Sequence, residues 1–337
     1  MHINEIGSEF WFEGSVEETD QNLLNNCIAL LSGRSALDFV CRDSKIQSIT
    51  LPSYCCSTMI EPFLRNGVEV FFYEVNITEI DCTDDCRSDA ILVIDYFGYW
   101  NPLMHEVAKR AKERGQIVVY DSTHHLLENN VICQYATYSI ISYRKWMYCN
   151  YAVVKKYGSP FSIAAPESSN DEYISLRNKA AKMKANYIIN GSGDKYEFLS
   201  LFTQANVSLQ GNYEDCIGKP IKIYRNEIIK KRKENAAVLI EGISRIENIN
   251  LWFFNLHASD TPLFVPILVK DEVERKALQE FLASANIYCP IHWPQTEYTQ
   301  LSRSSLYQRE LSLICDQRYG KEEMLKQIKV VSDFYNR

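Results

Sequence analysis

Short apolar runs alternate with helical patterns through the first two-thirds of the chain. Residues 46–51, 68–75, 90–96, 117–120, 136–141 and 151–154 are β-branched or aromatic and bounded by turn residues, which predicts strands. Between them, residues 102–114 carry Leu103, Val107 and Ala111 at helical spacing and stop at Gly115. Residues 35–41 and 57–64 predict two further helices. Continuous apolar strands alternating with helices predict an α/β domain with a mostly parallel sheet covered on both faces. Past Pro160 the pattern changes. Residues 169–190 are polar and helical in spacing, and 191–215 are weakly patterned. Residues 221–240 read as one long helix carrying the run Lys230, Lys231, Arg232, Lys233, which is expected to be a solvated face. A smaller α+β unit follows. Its strands are predicted at 261–270 and 311–314. Its helical stripes are Val273, Ala277, Leu278, Phe281, Leu282 and Ala285, then Met324, Leu325, Ile328, Val331 and Phe334. A large domain is thus expected over 1–220 and a small one over 221–337, with the 221–240 helix as hinge.

Composition narrows the class. The chain has 337 residues, 46% hydrophobic and 23% charged, the balance of a globular protein able to bury a sizeable core. A net charge of −7 argues against sequence-independent binding to nucleic acid or to anionic membranes. Eleven cysteines form no C-x-x-C pair, so neither a disulfide framework nor a zinc ribbon is expected. Reduced thiols in a cytoplasm are the simpler reading. Cys82 and Cys86 bracket an acidic stretch without a neighbouring histidine, so no metal is expected. The N-terminus lacks the pattern of a signal peptide, and the longest apolar stretches, such as 263–269, are far short of the ~18 residues of a membrane span.

Four loops carry candidate chemistry, each after a predicted strand or at a helix start, where α/β folds hold ligands. In LSGRSAL (31–37) a Ser-Gly turn opens a helix and offers free backbone N–H groups with Gly33, Arg34 and Ser35, a phosphate-binding arrangement that in other contexts is only a cap. In VVYDSTHH (118–125) Asp121 stands directly after a strand, with His124 three residues on; an acid there caps a turn, ligates a metal or pairs with a cationic ring. In SIISYRKWMY (139–148) Lys145 lies among apolar and aromatic residues, which lowers an amine's pKa and favours Schiff-base chemistry. Ser142 and Arg144 flank it as S-x-R-K. In LPSYCC (51–56) Tyr54 follows a strand and suits stacking on a planar ligand, or the core. Taken together, the four describe pyridoxal 5′-phosphate (PLP), which needs a Schiff-base lysine, an acidic partner for its ring nitrogen and a phosphate site. No G-x-G-x-x-G follows a predicted strand, which sets a nicotinamide dehydrogenase aside.

The chain also resembles a family, the fold-type I PLP-dependent sugar aminotransferases of the DegT/DnrJ/StrS type. The likeness runs through LSGRSAL, LPSYCCSTMIEPFLRNGVEVFFYEV, ILVIDYFG, VVYDSTHHL and SYRKW to IYCPIHWP and LSLICDQRYGKEEM. It implies that Lys145 carries the cofactor, Asp121 faces the pyridine nitrogen, His124 binds the phenolic oxygen, Tyr54 stacks on the ring, and Gly33, Arg34, Ser35 and Ser142 hold the phosphate. It further implies a homodimer that moves an amino group from an amino acid, expected to be glutamate, to a keto sugar, expected to be nucleotide-linked, in amino-sugar or surface-polysaccharide biosynthesis. Tyr96, His292 and Trp293 are candidates to face the acceptor. Cys149-Asn150-Tyr151 stands where family members carry Gly-Gly, and Arg34 where a small hydroxyl residue is common. Other PLP chemistry, such as sugar dehydration or work on an amino acid, and a non-catalytic dimeric binding module are the competing readings.

Overall fold

The computed structural model describes residues 5–12, 27–82, 87–126, 131–167, 169–209, 225–253 and 255–337. The start of the predicted 221–240 helix, Gly211 and Cys86 lie outside these residues. In chain order the elements begin with β1 (Ile6–Gly7), β2 (Cys27–Leu30), α1 (Gly33–Ser44), β3 (Ser48–Pro52), α2 (Ser57–Arg65), β4 (Glu69–Val75), β5 (Ile80–Asp81) and β6 (Ala90–Ile94). Then come α3 (Pro102–Glu113), β7 (Ile117–Asp121), β8 (Tyr138–Ser142), β9 (Ala152–Lys156), α4 (Asp171–Asn190), α5 (Lys195–Ser208) and α6 (Arg225–Ile243). The last are β10 (Asn250–Leu251), β11 (Val265–Leu268), α7 (Glu272–Ser284), β12 (Ile287–Tyr288), α8 (Leu306–Arg309), β13 (Glu310–Leu313) and α9 (Lys321–Tyr335).

Eight strands form one sheet in the order β2-β9-β8-β7-β6-β3-β4-β5. The run from β8 to β4 is parallel, and β9 and β5 are antiparallel to their neighbours. The cause is in the strand sequences. All five residues of β6, AILVI, are buried, as a strand covered on both faces requires. Local signals set the helices between them: the Ser32 side chain caps α1, and Asn101 caps α3 with Pro102 at its first position. A second core lies under α6, α7 and α9 against the antiparallel sheet β10-β11-β13. β1 pairs in parallel with β12, so residues 5–12 dock on the C-terminal part of the chain. Arg318 fastens this segment: its guanidinium lies 4.1 Å from the Phe10 ring centroid and donates to the carbonyls of Gly7, Ser8 and Glu9.

Three expectations change. The weakly patterned 191–215 contains α5. Its buried residues Phe198, Phe202 and Ala205 do follow helical spacing, but exposed Tyr196, Leu199 and Val207 blur the stripe. The strand predicted over 261–270 shortens to Val265–Leu268, because the N–H groups of Thr261 and Leu263 bond instead to the carbonyls of Gly98 and Phe97. The basic run on α6 is not uniformly solvated: Arg232 is buried, 1% exposed.

Candidate active site

The loops at the carboxyl ends of β2, β3, β7 and β8 converge on a cavity of about 400 Å³. Gly33, Arg34, Asp121, His124, Ser142 and Lys145 all line it. Sequence spacing alone put these six on three separate loops; the parallel sheet brings their loop ends to one edge.

At one end of the cavity α1 begins. Ser32 Oγ accepts the N–H of Ser35 at 3.1 Å, and helix geometry leaves the N–H groups of Gly33 and Arg34 without an intrahelical partner. A Cβ added to Gly33 would meet only Ser142 Cβ, at 3.7 Å. Protein packing therefore does not demand a glycine there, and the missing side chain keeps the cavity wall open. Ser35 itself is fully buried in α1 and lies off the wall; Ser32 stands in its place.

Thr123 joins the two central loops. Its N–H donates to Asp121 Oδ1 at 2.8 Å, its hydroxyl accepts the Ser142 N–H at 3.2 Å, and its carbonyl accepts the Trp146 indole N–H at 2.8 Å. Asp121 is thereby fixed at the tip of β7. Burial raises its pKa, opposed by the Thr123 bonds and by Lys145. Phe97 donates its N–H to His124 Nδ1 at 3.2 Å, so Nε2 carries the proton of the neutral ring. Burial, helped by Lys145, brings this histidine down to about 3, and its ring lies parallel to Trp293 with centroids 5.5 Å apart. Lys145 ends the short turn Tyr143–Lys145 after β8, and fully buried Trp146 anchors the next residue. Its side chain is exposed to the cavity, and the protein packed around it partly desolvates the amine. That desolvation, with the neighbouring Arg144, lowers the ammonium pKa.

Tyr54 departs from its expected role. It does not line the cavity: its ring packs edge-on to Trp293 at 4.8 Å and to Tyr307, and its hydroxyl donates to buried Glu310. The chain turns after β3 so that Cys56 and Thr58 reach the wall instead. Tyr96 is likewise buried, donating to the Tyr54 carbonyl at 2.7 Å. Of the proposed acceptor-facing residues, Trp293 lines this cavity and His292 a second, smaller one. Sequence reasoning had no signal for Thr123 or for Asn206 on α5, which accepts from Arg144 Nη1 at 3.3 Å.

The second cavity, of about 270 Å³, shares Arg144 and Lys145 with the first. Glu9 reaches it from the N-terminal segment. Burial alone would raise that carboxyl, but Arg144, Arg177, Lys145 and Lys184 bring it down to about 2. Among the described residues no group of three or more His, Cys, Asp or Glu is placed to hold a metal, and no helix is long and apolar enough to cross a membrane.

No protein-family model matches the sequence, and no curated protein matches it. Solved structures do match along nearly the whole length. Helicobacter pylori PseC, an aminotransferase involved in the biosynthesis of pseudoaminic acid, superposes with TM-score 0.65 at 16% identity, covering 98% of this chain and 93% of its own. The aminotransferase TlmJ from Streptoalloteichus hindustanus gives TM-score 0.64 at 14% identity, covering 92% and 85%. A DegT DnrJ EryC1 StrS aminotransferase from Brucella abortus gives 0.62 at 16%, covering 97% and 92%. The chain has the fold of these aminotransferases, an α/β architecture with a mostly parallel sheet as the sequence pattern predicted.

Proposed function

We propose that the chain is a PLP-dependent aminotransferase that moves an amino group from an amino acid, glutamate foremost, to a nucleotide-linked keto sugar in amino-sugar or surface-polysaccharide biosynthesis. The observation that carries this reading is one cavity whose wall holds a lysine amine, a carboxyl, a neutral histidine N–H donor and the open N-terminus of α1. That donor set fits PLP: Gly33, Arg34, Ser32 and Ser142 would hold the phosphate, Asp121 the ring nitrogen, His124 Nε2–H the phenolic oxygen and Lys145 the aldehyde carbon. Tyr54 and Ser35 would act behind the wall, by packing Trp293 and capping α1. The sugar acceptor draws support from DesI, a structural neighbour solved in the presence of its TDP-sugar product.

Bound there, PLP supplies an electron sink for negative charge developing at the amino-acid α-carbon. The chain's residues do the rest. Asp121, buried at the tip of β7, would pair with a protonated ring nitrogen and hold that proton in place. His124 stays neutral, because burial disfavours its cation, and so remains a hydrogen-bond donor. Lys145 Nζ would take and return the proton at the amino-acid α-carbon. Its lowered pKa enlarges the neutral, basic fraction near pH 7. Leu37, Met59, Ile94, Ile140 and Trp293 give the same space its apolar walls. The homodimer, the cytoplasmic location and the domain division at 220/221 with α6 as hinge belong to this reading; light scattering tests the first.

The test is spectroscopic. PLP added to the purified protein gives a visible absorbance that Lys145→Ala lacks, and L-glutamate bleaches it with release of 2-oxoglutarate. A K145A protein with undiminished transamination refutes the assignment. Visible absorbance that no amino acid bleaches favours a different PLP chemistry or a binding module.

A further inference from the structure

Arg232 poses a problem of charge. It is 1% exposed, yet no ion pair to it exists among the described residues. Its Nε donates to Gln317 Oε1 and its Nη1 to the Leu263 carbonyl, both at 2.8 Å, and the guanidinium lies 4.5 Å from the Trp146 ring centroid. The neighbouring anion, Asp316, is already engaged by Arg318 through Nε at 3.0 Å and Nη2 at 2.8 Å. Buried cations are ordinarily paired, because an unpaired charge in a low-dielectric interior is costly. Neutral acceptors and a ring face offset only part of that cost.

The place of Arg232 supplies the answer. It lines the smaller cavity, directly beyond Lys145. Four cations, Arg144, Lys145, Arg232 and Arg318, stand on that wall against two anions, Glu9 and Asp316. In the same wall His292 has a buried Nε2 with no hydrogen-bond partner among the described residues. We propose that this cavity is a carboxylate subsite, in which Arg232, through an Nη2 that has no partner among the described residues, and His292 Nε2 receive a carboxylate of the amino-acid donor or of its keto-acid product. The identity of the ligand rests on the aminotransferase reading; the anion site rests on the cavity alone. At about 270 Å³ the space suits a small dicarboxylate rather than a nucleotide-linked sugar. The shared wall at Lys145 places the subsite next to the amine that the donor must approach.

Glutarate, which has two carboxylates and no amine to react, is the probe, and its neutral diamide is the control. Calorimetric titration of the PLP-loaded protein is expected to show glutarate binding and no diamide binding. Arg232→Met, which keeps reach and loses charge, is expected to weaken glutarate at least ~10-fold, the effect of one lost charge-assisted hydrogen bond. Visible absorbance should stay unchanged. His292→Phe leaves Arg232 in place and is expected to weaken glutarate by a smaller factor; with Arg232→Lys it decides the matter should R232M not fold. Equal affinity for glutarate in the wild type and in folded Arg232 and His292 variants overturns the subsite, as does equal affinity for acid and diamide. A protein that takes up no PLP yet binds glutarate through Arg232 keeps the subsite and loses the aminotransferase reading. One that glutamate bleaches as before in R232M does the reverse.

Discussion

Gly98→Ala tests how the catalytic loops are held together. Gly98 follows Phe97 at the end of β6, and its φ of +81° lies in the left-handed region. A Cβ there would meet the His124 carbonyl oxygen at 2.5 Å and the Thr261 carbonyl oxygen still closer, against the 3.0 Å that real Cβ atoms keep. Both obstacles are backbone, so no rotamer relieves them. The left-handed conformation alone costs an alanine about 1 kcal/mol. Separating the backbones would also strain the Thr261 N–H bond to Gly98 at 2.8 Å and the Leu263 N–H bond to Phe97 at 2.9 Å, at about 1 kcal/mol each. Relief of the overlap adds a further 1–3 kcal/mol, as for other overpacked sites, so the total is about 4–6 kcal/mol. Gly115→Ala is the internal control: its φ is +78°, but nothing lies within 4 Å of the added Cβ, so it should cost only about 1 kcal/mol. Urea unfolding followed by circular dichroism reads both. Because Phe97 holds His124 Nδ1, G98A should also weaken PLP uptake while G115A does not. Equal losses for the two variants, within about 0.5 kcal/mol, would refute the close-approach argument.

Three further outcomes follow from the site and its supports. His124→Phe keeps the ring packing on Trp293 but removes both the Nε2–H donor and the Nδ1 acceptor of the buried Phe97 N–H, so glutamate half-reaction rates should fall ~10–100-fold by stopped-flow absorbance while the fold loses about 1–3 kcal/mol. Burial raises Glu310 from 4.5 to about 7. A raised carboxyl stabilises the fold fully below its unfolded pKa and loses that contribution as pH rises to the folded value, so the chain should lose about 3 kcal/mol between pH 4.5 and 7. Glu310→Gln should flatten that dependence in urea titrations. Asp43 is buried and accepts from Lys156 at 2.7 Å and from Tyr138 at 2.6 Å, so Asp43→Ala should cost about 3 kcal/mol or more, read by thermal unfolding.

Six of the eight strands of the sheet were legible because each is a β-branched or aromatic run bounded by turn residues, and their observed bounds differ from the expected ones by a residue or two; the edge strands β2 and β5 were not foreseen. That six of the eight candidate residues share one cavity wall was foreseeable, because a parallel sheet must put its loop ends together. Tyr54 was not: where its ring turns depends on Glu310, a partner 256 positions away. Arg232 was misjudged because a basic run on a helix carries no sign of which member faces inward, and only the packing against Trp146 decides it. Thr123 left no signal, since its role is three hydrogen bonds to residues on two loops and none of its own chemistry. The two-residue strands β1, β10 and β12 exist only through their pairing partners.

The most direct measurement is the site of cofactor attachment. Borohydride reduction of the PLP-loaded protein, followed by proteolysis and mass spectrometry, should place the pyridoxyl-phosphate mass on the peptide containing Lys145 and on no other. Attachment at a different lysine, or none in a protein that otherwise folds, would contradict the account.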